Sequence, residues 1–159
     1  MPPKFLVDLD GIDLNRVEIG IEEIRKANPQ RYEMEQLTGI VKFAPEEGYI
    51  IGFKDITDKE FWISGHIPGR PLMPGVIMCE AAAQLCSFYY TRTLPPGEEH
   101  FVGFGGMTDV KFRGTVSPGD KFIVIAKNVE LKSRRSTFQT QGIVNGRIVF
   151  EAVIIGMPL

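Results

Sequence analysis

A chain of 159 residues, 43% hydrophobic and 24% charged, has the size and make-up of one globular domain that closes its core without disulfide or metal staples. A formal net charge of −2 gives no basis for nucleic-acid binding, and the Arg134-Arg135 pair reads as a solvated basic step. No apolar run approaches the ~20 residues that span a bilayer, and acids interrupt "MPPKFLVDLDGIDLNRV" where a signal peptide needs an apolar core. The expectation is a cytoplasmic protein with no membrane segment.

Residues 1–20 form an amino-terminal lead-in without a strong pattern, and 21–159 a single domain. "IEEIRKA" (21–27) predicts a short helix that ends at Asn28-Pro29. "LTGIVKFA" and "GYIIGFKDIT" predict two extended runs about the turn Pro45-Glu46-Glu47-Gly48, and "KEFWISG" a third short extended piece leading to His66. From Gly75 to about Tyr90 the chain predicts its longest helix, which "LPPGEE" (94–99) breaks. Extended runs follow: "FVGFGG", "TDVKFRGTV", "DKFIVIAKNVELKS", "STFQTQGIV" and "RIVFEAVIIG". Asn145-Gly146 joins the last two as a hairpin, because both residues tolerate positive φ. One long helix and roughly six strands predict an α+β fold, with a curved antiparallel sheet covering its apolar face with that helix.

Cys79 and Cys86 lie seven positions apart on the long helix, ~10 Å along its axis, too far for a disulfide. Buried reduced thiols are the expectation. With His66 and His100 they make no metal-ligand spacing.

"GVIMCEAAAQLCSFYY" is apolar or small at nearly every position, which predicts a helix buried all round. Glu80, Gln84 and Ser87 are the exceptions, and their i, i+4, i+7 spacing puts them on one stripe. Burial would raise the pKa of Glu80 and suit it to donate a proton. Its plainer reading is a glutamate held by Gln84 for structure alone. His66 precedes this helix in "GHIPGRPLMP", where Pro68, Pro71 and Pro74 stiffen the backbone and hold the imidazole in place. The helix start adds unpaired N–H groups at Gly75 and Val76, a candidate oxyanion site. A base, an acid and a carbonyl-polarising pair suit removal of a proton α to a carbonyl with loss of a β-hydroxyl.

"GHIPGRPLMPGVIMCEAAAQ" closely resembles the active-site segment of FabZ-type β-hydroxyacyl-(acyl-carrier-protein) dehydratases, which have the hotdog fold of a sheet wrapped around a central helix. "TDVKFRGTVSPGD" (108–120) continues the resemblance, and "IEEIRKANPQRY" (21–32) does so more weakly. The related FabA type carries aspartate where this chain has Glu80. The resemblance implies His66 as catalytic base, Glu80 as acid, the Gly75 and Val76 amides on the thioester carbonyl, and Gln84, Phe104 and Phe112 along the substrate. It also implies a (3R)-3-hydroxyacyl substrate on acyl carrier protein, no metal or cofactor, and a homodimer, alone or as a trimer of dimers. Lys111, Arg113, Arg134 and Arg135 are the candidate cations for the acidic carrier. The chain departs from the family after Arg31-Tyr32, where it reads "EMEQLTG", and at Gln30, where histidine is common. Rival readings are a hotdog acyl-thioesterase, an enoyl-thioester hydratase, and a non-enzymatic binding or scaffold module.

Overall fold

The computed structural model describes residues 4–95, 97 and 102–159. Helix α1 (Ile21–Ala27) and a 3-10 turn (Tyr32–Met34) lead into strands β1 (Gly39–Ala44) and β2 (Tyr49–Asp55). The long helix α2 (Gly75–Thr93) follows, then β3 (Val102–Phe112), β4 (Lys121–Lys132), β5 (Arg135–Val144) and β6 (Arg147–Pro158). His100, Phe101 and part of the "LPPGEE" break lie outside the described residues.

The six strands form one antiparallel sheet in the order β1-β2-β4-β5-β6-β3. Asn145 and Gly146 take the positive φ values of 50° and 75° expected at the β5–β6 turn. Extra residues shift the register at one or more points in every pairing except β2–β4. Such bulges bend and twist strands, which lets a long sheet curl around a helix. The apolar face of the curl closes on α2: Leu85, Phe88, Phe122, Phe138 and Phe150 are all but fully buried there. The expected α+β arrangement, a curved sheet about one helix, is present.

Three expectations change. "KEFWISG" is a series of turns rather than an extended piece, because Ile63 and Gly65 N–H groups bond back to the carbonyls of Glu60 and Trp62. Trp62 is buried, and that burial favours the tight turn over an edge strand. The "FVGFGG" and "TDVKFRGTV" runs merge into β3, which stops at Phe112, and 113–120 is loop. Helix α2 is not buried all round: Val76 is exposed, and Glu80 and Ala83 are half-buried on the same stripe.

The lead-in has a definite seat. Phe5, Leu6, Val7, Leu9, Ile12 and Leu14 pack on a second apolar cluster, formed by Val41, Tyr49, Ile51, Phe53 and Ile125 on the sheet face opposite α2. The buried Gln141 side chain holds this strap as a peptide group would, accepting from the Leu6 N–H at 2.8 Å and donating to the Lys4 carbonyl at 3.0 Å. Further along, the Ile19 backbone bridges Ile40 on β1. Deleting residues 1–14 should therefore lower the thermal midpoint by about 5 °C or more, as ~2 kcal/mol does in a chain of this size, and should raise hydrophobic-dye binding. An unchanged melting curve would show that the strap contributes nothing to stability.

Candidate active site

His66 sits in an exposed loop whose backbone is tied at several points. Its N–H bonds the Trp62 carbonyl at 2.8 Å, its carbonyl accepts from Leu72 at 2.8 Å, and Ile67 and Arg70 pair across the intervening turn. The loop then joins the 113–120 segment, where the Met73 N–H bonds the carbonyl of the buried Val116 at 2.8 Å. The imidazole Nδ1 lies 2.8 Å from the Leu72 carbonyl oxygen. A carbonyl only accepts, so Nδ1 carries the hydrogen and Nε2 of the neutral ring is left as the basic nitrogen.

Immediately after this loop, Pro74 caps the start of α2. Its carbonyl accepts from Ile77 and Met78, while the N–H groups of Gly75 and Val76 have no acceptor among the described residues. Two unpaired amides at the positive end of a 19-residue helix are suited to hold an oxygen that gains negative charge. Gly75 has a packing reason beyond access. A Cβ there would fall 2.7 Å from the Phe112 ring, so the aromatic ring takes the space a side chain would need. Phe112 is half-exposed, with its ring 5.8 Å from that of Phe150, which places it at the helix start.

Glu80 lies on the next turn of α2 and is half-buried, not buried as expected. Its Oε1 accepts from Gln84 Nε2 at 2.9 Å. The same Gln84 nitrogen donates to the Met34 carbonyl at 2.7 Å, and Gln84 Oε1 accepts from the Gln36 N–H at 2.9 Å. Gln84, which the sequence suggested as a substrate contact, thus ties Glu80 to the 34–36 segment, and both side chains border one cavity. The 34–36 segment is itself braced. Arg25 grips Glu35 through two hydrogen bonds of 2.8 and 3.0 Å, and that guanidinium holds the Glu35 carboxyl below the usual carboxylate range. Sequence alone could show Gln84 one turn from Glu80. It could not show partners 48 and 50 residues away.

A cavity of about 240 Å³ opens between α2 and the β3, β5 and β6 strands, bordered by Glu80, Ser87, Phe104 and Ser136. Phe104 lines it and Phe112 does not, so the two aromatics serve different places. His66 does not border it either, and within one chain His66 and Glu80 share no hydrogen bond. Cys79 and Cys86 are free and buried, and burial pushes both thiols up, which keeps them protonated. Of the candidate cations, Arg113 is paired with Glu151 at 2.6 Å, while Arg134 and Arg135 are exposed at the β4–β5 turn. Arg70 is a further exposed cation, in the His66 loop itself. Among the described residues, no helix is long and apolar enough to cross a membrane.

A family model described as the FabA-like domain matches residues 28–153. The chain is 34% identical over 136 residues to a 3-hydroxyacyl-(acyl-carrier-protein) dehydratase FabZ of Hydrogenobaculum sp. (strain Y04AAS1), covering 84% of this chain and 90% of that protein. It is 32% identical over 139 residues to the FabZ of Klebsiella pneumoniae, covering 85% and 89% of the two chains. Among solved structures it resembles the dehydratase heterocomplex ApeI:P from Xenorhabdus doucetiae, with a TM-score of 0.72 at 10% identity over 86% of this chain and 90% of that one. It also resembles a thioesterase-related protein from Ralstonia eutropha, with a TM-score of 0.60 at 15% identity over 74% and 82% of the chains. At such identities the last two likenesses show a shared fold and nothing finer.

Proposed function

The chain belongs to the FabA-like family, and from that premise we propose that it is a hydro-lyase of the FabZ type, converting (3R)-3-hydroxyacyl thioesters on acyl carrier protein to trans-2-enoyl thioesters. The observation that carries this reading is the hydrogen bond from His66 Nδ1 to the Leu72 carbonyl, which leaves Nε2 as the basic nitrogen in the loop that leads into α2. The Gly75 and Val76 N–H groups receive the thioester oxygen and stabilise the charge that builds there as C2 loses its proton to His66. Glu80, steadied by Gln84, gives a proton to the C3 hydroxyl, which departs as water as the C2–C3 double bond forms. The enzyme then holds one proton more on His66 and one fewer on Glu80, and exchange with solvent resets both. This chemistry asks for neither metal nor cofactor.

Two further features support assembly of the site from two copies. Edge strand β3 pairs only with β6 among the described residues and carries the exposed apolar side chains Phe104, Met107 and Phe112. The Val76–Glu80–Ala83 stripe is open too, exposed at Val76 and half-buried at Glu80 and Ala83. A homodimer that covers both, alone or as part of a trimer of dimers, would complete each site with the partner's groups. Arg70, Lys111, Arg134 and Arg135 are the exposed cations for the acidic carrier, and the two reduced thiols suit the cytoplasm.

Purified protein incubated with 3-hydroxyacyl carrier protein should generate enoyl thioester without release of free thiol. Thiol release measured with a trapping reagent, in place of enoyl product, would replace this reading with a thioesterase. Product formation confined to the reverse direction on acyl-coenzyme A thioesters would mark a hydratase.

A further inference from the structure

Lys54, near the end of β2, ties together two separate segments of the chain. Its ammonium is 3.2 Å from Glu60 Oε1 and donates to the Glu35 carbonyl at 3.4 Å. The Lys54 and Glu60 side chains are only 16% and 8% exposed, so little solvent screens the pair. Glu60 turns its other oxygen on the loop before His66: Oε2 accepts from the Thr57 N–H at 3.1 Å and from the Thr57 hydroxyl at 2.8 Å. The Glu60 carbonyl takes the Ile63 N–H, and the Trp62 carbonyl takes that of His66. The turns that lead to the imidazole are thus pinned at their start by the carboxylate that Lys54 holds.

At its other contact the same ammonium reaches the segment beside the candidate acid. Glu35 stands between Met34, whose carbonyl accepts from Gln84 Nε2, and Gln36, whose N–H donates to Gln84 Oε1. Gln84 in turn donates to Glu80 at 2.9 Å. From Lys54 the path to the Glu80 carboxylate is therefore one backbone segment and one side chain, and the path to His66 is one carboxylate and the turns after it. A well-packed apolar pair often holds a fold as firmly as a buried ion pair does. What the ammonium adds is direction, because its three N–H donors tie separate acceptors at set distances.

We propose that Lys54 is a positioning residue for the reaction, setting the His66 loop through Glu60 and the Gln84–Glu80 pair through the Glu35 carbonyl. This rests on the dehydratase reading above. In a dimer with shared sites, the base and the acid that one Lys54 aligns belong to different sites. The test is Lys54→Met with Glu60→Gln, which removes the ion pair, strands no charge and leaves an oxygen for Thr57. Dehydration of 3-hydroxydecanoyl carrier protein should lose about tenfold in kcat, with KM within about twofold and the melting temperature within a few degrees. Hydrogen exchange followed by mass spectrometry reads the link without turnover: peptides holding Gln36 and His66 should both exchange faster, and β4 peptides should not. Lys54→Arg, which keeps a cation with several donors, should retain most of the wild-type kcat and the slow exchange. If the double variant does not fold, Glu60→Asp, which draws the carboxylate back by one methylene, is read in the same way. Faster exchange in both segments of a protein whose wild type dehydrates nothing would uphold the Lys54 link and remove the dehydratase reading. Unchanged exchange in either segment, or faster exchange with wild-type kcat, would overturn the proposal and keep dehydration. A turnover loss matched by faster exchange throughout β4 would overturn it as well, since that is general destabilisation.

Discussion

Replacing His66 with alanine is expected to lower kcat for dehydration by ~10²–10⁴, the usual contribution of a positioned proton-transfer group. The fold should remain, because the imidazole is exposed and makes one hydrogen bond, to the Leu72 carbonyl. The loop is held independently of that bond, through backbone contacts of Trp62, Leu72, Met73 and Val116. His66→Ala should therefore retain the wild-type circular dichroism and nearly the wild-type melting temperature. Substrate affinity should change less than turnover, because the proposed carbonyl contacts come from the Gly75 and Val76 amides. Near-normal turnover by a normally folded His66→Ala protein would remove His66 from the mechanism.

Mixing two inactive variants gives the second large effect. His66→Ala and Glu80→Ala chains should each be inactive alone, yet regain about a quarter of wild-type activity after subunits exchange. Half of a random population is mixed dimers, and in each of these one site collects both lesions while the other is intact. The basis is structural. Within one chain the imidazole and the carboxylate share no hydrogen bond, His66 does not border the cavity of Glu80, and the Glu80 stripe of α2 is open. If each site were built within a single chain, every site would keep a lesion and mixing would restore nothing. Confirmed exchange with no recovery would sink the shared site. Glu80→Gln separates chemistry from structure at the same position. Gln84 Nε2 could still donate to the substituted side chain's oxygen, so folding should persist while turnover falls by ~10²–10⁴.

Much of this protein is legible without coordinates because its signals are local. Proline and glycine punctuate the chain, alternation marks the long strands, and Asn145-Gly146 marks a turn through its own backbone preferences. The apolar run of 75–90 predicts a helix for the sheet to wrap, and α2 occupies that place with one further turn. His66, Gly75 and Glu80 could be singled out because a stiff loop, a helix start and a lone carboxylate lie within fifteen residues. Local signals mislead where tertiary burial wins. "KEFWISG" has strand composition, yet the chain coils there to bury Trp62.

The long helix and its place between strands, the α+β class and the candidate base and acid were determined by sequence alone, since each rests on residue types at short spacing. Only the tertiary structure decided what those residues touch. It joined Gln84 to Glu80 and to partners in the 34–36 segment, far off along the chain. It seated the lead-in on the outer face of the sheet, where Gln141 pairs with the Lys4 and Leu6 backbone across more than 130 residues. It sent Phe104 to the cavity and Phe112 to the helix start. The physical reason is the same in each case. A hydrogen bond or a close packing contact between distant segments depends on register, bulges and curvature summed along the whole sheet, and no window of sequence contains that sum.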